Sequence, residues 1–202
     1  MRIIVLDTET LGLNDQRVYD LGYLVFDTET EEVLCKRSYV IKQVFDNEDL
    51  MKTAYYNNKR PIYLDRLNSK YSKKVYWGNA CRILERDMIR YGVKKVFAYN
   101  SRFDYRSILK TCLIYLAKVN PTEKGIDDIM DYISPITDTK EYKEFCEKNG
   151  FMTRHHKPRP QKKAETLYSY LTNNPSYTEE HTALEDSKIE LFILMTTLAL
   201  AE

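Results

Sequence analysis

The chain has 202 residues, of which 43% are apolar and 30% charged, and its net charge is +1. This is the balance of one folded domain, taken as residues 1–202, and it excludes a disordered chain or one whose overall charge alone would gather nucleic acid. The longest apolar run, LFILMTTLALA, is too short to cross a bilayer.

RIIVLD (2–7) reads as a buried strand rich in β-branched residues. VYDLGYLVFD (18–27) and EVLCKRSYVI (32–41) read as two more strands, and the four residues between them suit a hairpin. Residues 45–75 are polar and rich in Tyr, Lys and Asn, and are expected to form a short helix within a long excursion. The spacing of Cys81, Leu84, Met88 and Tyr91 predicts a helix over 78–92, with Gly92 as its stop. KVFAY (95–99) is a fourth strand, and 101–118 a helix capped by Ser101. A fifth strand is expected within 125–134, then helices over 139–149, 163–173 and 178–200. Strands first, then alternating helices and strands, imply an α/β fold. It would be a mixed sheet with an antiparallel hairpin at one edge, flanked by helices. Cys35, Cys81, Cys112 and Cys146 are scattered with no C-x-x-C pair, so neither a zinc site nor a disulfide framework is expected. No signal-peptide pattern precedes MRIIVLD, and a cytoplasmic protein without a membrane partner is expected.

The tetrapeptide Asp-Thr-Glu-Thr occurs twice, carrying Asp7 and Glu9 in the first copy and Asp27 and Glu29 in the second. With 30 acids in the chain, a D-x-E arises by chance about once, so context must separate the copies. Residues i and i+2 of a strand share a face, so each copy aligns its two carboxylates. The first copy ends a strand with no polar residue from Ile3 to Leu6, where an α/β sheet commonly builds its site. Two adjacent carboxylates repel unless a cation lies between them. The second copy sits at a hairpin bend beside Glu31 and Glu32 and is expected to be a pair of solvated turn residues. Farther along, AYNSRFDYRS places Asp104 one turn into a helix, and HTALEDS places His181 five residues before Asp186. Four acids suit oxygen-loving divalent cations, and His181 would be a base titrating near neutrality.

Three blocks, VLDTETLGL, FAYNSRFDYRSIL and HTALEDSKIE, stand in order from residue 5 to 190. Together they resemble the DEDDh (DnaQ-like) family of 3′–5′ exonucleases. A sister group carries Tyr four residues before the last Asp; here that position is Thr182, and His181 matches the histidine branch. The resemblance implies an RNase H-like fold, a five-stranded mixed sheet with the first strand central. It implies two Mg²⁺ ions, with Mn²⁺ as a substitute, held by Asp7, Glu9, Asp104 and Asp186, with His181 as general base. It also places Thr8, Thr10, Leu13, Asn100 and Phe103 on the substrate side, Leu13 as an apolar wedge and Thr10 near the terminal 3′-hydroxyl. The implied partner is the 3′ end of a single-stranded nucleic acid, DNA ahead of RNA, cut to nucleoside 5′-monophosphates. A homodimer or a replication partner is compatible with it. The alternative is a catalytically minor or inactive nucleic-acid-binding or polymerase-associated module of the same fold. RHHKPRPQKK (154–163) carries five Lys or Arg and reads either as a phosphate-tracking segment or as a solvated loop. The 17 tyrosines read mostly as packing residues, and Trp77 takes no role.

Overall fold

Ile3, Ile4, Val5 and Leu6 are all buried, yet they serve two different cores. Because side chains alternate along a strand, Ile4 and Leu6 pack on one face of the sheet and Ile3 and Val5 on the other. A strand buried on both faces reads as a continuous apolar run, which is why this segment stands out in the sequence.

The computed structural model describes residues 1–201, the last of these as backbone only. Chain order is β1 (Arg2–Thr10), β2 (Val18–Asp27), β3 (Glu32–Ile41), α1 (Lys42–Phe45), α2 (Glu48–Lys52), α3 (Arg60–Asn68), β4 (Lys73–Val75), α4 (Trp77–Tyr91), β5 (Lys95–Ala98), α5 (Ser101–Ile114), β6 (Asp127–Asp128), α6 (Ser134–Thr137), α7 (Lys140–Asn149), α8 (Ala164–Leu171) and α9 (Ala183–Ala201). The strands order as β4-β3-β2-β1-β5-β6. β1 runs antiparallel to β2 and parallel to β5, so it is interior, as expected. The first core holds Ala80, Cys81 and Leu84 of α4 with Ile108 and Cys112 of α5. Trp77 is buried there, and its indole N–H donates to Cys112 Sγ at 3.3 Å. The second core holds Ile136, Tyr142, Cys146, Leu167 and the apolar residues of α9, including Leu184, Ile193 and Leu194.

Several sequence expectations are corrected here. The sheet has six strands among the described residues, because β4, only KKV, adds in parallel to β3. Three residues with two lysines make a charged edge strand that carries no hydrophobic signature. The hairpin β2–β3 therefore lies inside the sheet, not at its edge. The polar excursion over 45–75 follows α1 and folds into α2, a 3-10 turn at Asn57–Lys59, α3 and β4. The fifth predicted strand shrinks to the two residues of β6. The last helix begins at Ala183 rather than 178, which leaves His181 outside it. None of the helices described is long and apolar enough to cross a membrane.

Candidate active site

Asp7 and Glu9 share the face of β1 that carries Ile3 and Val5, toward α9. Across the ladder Asp7 pairs with Gly22, and Glu9 with Asp20. Gly22 sets the height of the helix above the sheet: a Cβ there would lie 2.1 Å from the Leu184 amide nitrogen. Polar contacts fix the same junction. The Ala183 amide donates to Asp20 Oδ2 at 2.9 Å, and the Ser187 hydroxyl reaches the carbonyls of Gly22 (3.2 Å) and Ala183 (2.7 Å). The first turns of α9 are thus held over the end of β1. Asp186 and Glu190, four residues apart on one helix face, line the same cleft as Asp7 and Glu9.

Asp104 comes from the first turn of α5 and is 2% exposed. Its Oδ1 accepts from both the Thr8 amide (3.0 Å) and the Thr8 hydroxyl (2.7 Å), so Thr8 spends its donors on this carboxylate. Asn100 precedes the helix with φ +58°, and its amide donates to Asp128 Oδ1 at 2.9 Å. Phe103 and Asn100 line the cleft. Thr10 is buried at the end of β1, and Leu13 is 83% exposed on the following loop; neither lines it.

His181 also has a left-handed backbone, φ +56°. Outliers of this kind cost energy and concentrate where a side chain must be aimed. The imidazole lies flat on Tyr56, ring centres 4.2 Å apart and planes 14° apart, with Nδ1 3.7 Å from Glu179 Oε2. Glu9, His181 and Asp186 each offer a ligand atom within 4.8 Å of the others.

The cleft, of about 660 Å³, is crowded with acid. Burial, reinforced by neighbouring carboxylates, pushes Asp7, Glu9 and Glu190 well above the usual carboxylate range. Burial raises Asp186 to about 8 and Asp104 to about 7, the latter against the two bonds from Thr8. Asp186 Oδ1 is buried with no hydrogen-bond partner. A dense set of carboxylate oxygens, one of them without a partner, fits hard divalent cations, whose charge relieves the repulsion. The chain's residues therefore suit the group that the acids imply.

The two copies of the tetrapeptide differ. Asp27 is not a solvated turn residue: it is 8% exposed, its carboxylate accepts from the Glu29 amide and the Arg2 guanidinium, both at 3.1 Å, and these contacts hold it below the usual range. Each copy ends a strand, but only the first faces a helix bearing more acids. Asp27→Ala combined with Glu29→Ala should leave the cleft's Mn²⁺ affinity within a few-fold in a titration; collapse of that affinity would move the site to the second copy.

Glu190, Glu179, Glu165 and Tyr56 also line the cleft and were missed in the sequence. Glu190 was findable, since it follows Asp186 by one helical turn. Tyr56 had no signal, because only the path of the 45–75 excursion brings it to the site.

No protein-family model and no curated protein sequence matches this chain. Among solved structures it is similar to the nuclease domain of 3′hExo, a DEDDh family member in a crystal structure bound to rAMP. The TM-score is 0.54 and identity 14%, over 98% of this chain and 92% of that one. The chain has a DEDDh-like, RNase H-like exonuclease fold.

Proposed function

We propose that this chain, starting from that fold, is a metal-dependent 3′–5′ exonuclease on single-stranded nucleic acid, DNA ahead of RNA, releasing nucleoside 5′-monophosphates. One observation carries the reading: Asp7, Glu9, Asp104, Asp186 and His181 line a single cleft at the end of the central strand. A full acid set with a histidine beside it argues for turnover over the inactive-module alternative.

Asp7, Glu9, Asp104 and Asp186 would hold two Mg²⁺ ions, with Mn²⁺ as a substitute. When bound, these supply the positive charge that neutralises the attacking and leaving oxygens of a phosphodiester. The chain's own residues do the rest. Burial lowers the proton affinity of His181 below that of a free imidazole, so it is neutral at physiological pH and can accept the proton of the attacking water. Tyr56 holds that ring flat, and Glu179, near Nδ1, leaves the opposite nitrogen for the proton. Thr8 fixes Asp104 by two bonds, and Asn100 and Phe103 wall the cleft where the terminal nucleotide would lie.

The reading is tested on matched single strands of DNA and RNA ending in a free 3′-hydroxyl or a 3′-phosphate, and on a closed circle. Shortening from the free 3′ end, strong slowing by the 3′-phosphate and an intact circle are expected. Efficient cutting of the circle would rule out an exonuclease.

A further inference from the structure

Residues 151–163 form an arm that the reaction above does not use. The Thr153 amide donates to the Arg159 carbonyl (2.8 Å) and the Gln161 amide to the Phe151 carbonyl (2.9 Å), with Met152 bridged to Pro160. The Arg159 amide also reaches Thr153 Oγ1 at 3.0 Å. The segment is therefore a short hairpin with RHHKP at its tip. Its base is fixed to the core. The buried Tyr142 donates its hydroxyl to the Gln161 carbonyl at 2.5 Å, and Tyr99 donates to the Lys162 carbonyl at 2.6 Å. Phe151 stacks on Phe145, ring centres 5.8 Å apart.

From that base the chain runs directly into Lys162 and Lys163, which line the carboxylate cleft. They are the only Lys or Arg among the described residues that do so. At the tip Arg154, His155, His156 and Lys157 are exposed, as is Arg159 just below it. Lys162 pairs with Asp138 at 3.2 Å, whereas Arg154, Lys157, Arg159 and Lys163 pair with no carboxylate among the described residues. Lys157 and Arg159 each precede a proline, which disfavours helical backbone at both positions.

We propose that this hairpin is a binding site for the sugar–phosphate backbone of the nucleic-acid strand, upstream of the bond being cut. The inference rests on the exonuclease reading for its direction. The argument is one of charge. The cleft floor is acidic and can meet phosphate only through cations, and the chain as a whole, at +1, offers no attractive field. A strand whose 3′ end enters the cleft can leave over one basic wall, and that wall continues into the hairpin. From Arg159 to Lys163 the extended chain spans at most about 14 Å, so the arm adds on the order of 4 nucleotides, the low end for single-strand grooves. Unpaired, solvated cations of this kind gain affinity by releasing counterions from the strand.

The test uses the full chain and the triple variant Arg154→Ser, Lys157→Ser, Arg159→Ser. Fluorescence anisotropy in Ca²⁺ compares a 12-nucleotide single strand with a trinucleotide across a salt series. The variant should lose about tenfold in affinity for the 12-mer and less than about twofold for the trinucleotide, and the dependence of log Kd on log salt should become shallower by about 2, as loss of three single-strand phosphate contacts requires. Equal weakening on both lengths, an unchanged salt slope, or no binding of the 12-mer by the parent chain would overturn it. So would a polyglutamate of matched charge competing as well as the 12-mer, which would make the arm a site for acidic protein. Failure of the parent chain to hydrolyse the trinucleotide with Mg²⁺ or Mn²⁺, beside an intact length difference in binding, would refute the exonuclease reading and leave the arm standing.

Discussion

Asp186→Asn is expected to abolish turnover and, in the absence of metal at pH 8, to raise the melting temperature. The two effects have one cause. Asp186 is buried against Glu179 and Asp20, and its proton affinity is raised to about 8; burial likewise raises Glu179 to about 7 and Asp20 to about 6. A carboxyl whose folded value lies above its unfolded value binds more protons in the folded state between the two, so metal-free stability falls as pH rises from about 4 to about 8. Asparagine keeps the shape and removes a charge that the folded state disfavours. In a domain of this size each kcal/mol moves the midpoint by about 2–4 °C, so a gain on the order of 5 °C is readable by calorimetry. The parent chain should recover this stability when Mn²⁺ is added, and the variant should gain little. Losing a ligand to the ions should cost at least about a thousandfold in rate, since several kcal/mol of charge stabilisation are involved. A variant that melts lower without metal, or responds to Mn²⁺ as the parent does, would show that the acids are not a repelling, cation-ready cluster.

His181→Ala should keep the fold and the metal response yet lose about two to four orders of magnitude in turnover, the range of a positioned acid–base group. Its acid limb should change as well. Burial is the main reason that His181 holds its proton more weakly than a free imidazole, with Lys59 adding to it. The histidine is therefore inactive only when protonated, below the lowered value, and the parent's rate should fall at a pH below about 6.5. That limb should flatten in the variant. Near-normal rate with an unchanged profile would remove the histidine from the chemistry. The stack on Tyr56 and the left-handed backbone at 181 give the ring one preferred aim, so the loss should be in kcat more than in KM.

The core of the site was legible because it rests on local periodicity. The i, i+2 spacing of Asp7 and Glu9 on an apolar strand, and the placement of Asp104 and Asp186 on helices, survive intact in the fold. The five-residue spacing from His181 to Asp186 also implies that the two cannot share a helix face, and the structure places His181 before Ala183, where α9 begins. What was not legible depends on long-range packing. Gly22 looks like any strand glycine until α9 is seen resting on its backbone. Tyr56 lies in a polar stretch with no periodicity, and its role at His181 follows from the path of the chain. β4 was hidden because three residues and two lysines carry no strand pattern. Asp27 was misread as solvated because its partners, Arg2 and the Glu29 amide, are fixed by the β1–β2 register and the turn.

The most direct test of the central claim is to identify the product released from a 5′-labelled single strand in Mg²⁺, in Mn²⁺ and in EDTA. The account predicts nucleoside 5′-monophosphate, with the labelled strand shortening stepwise, in either metal and none in EDTA. Release of 3′-monophosphates, internal fragments as first products, or equal release in EDTA would contradict it.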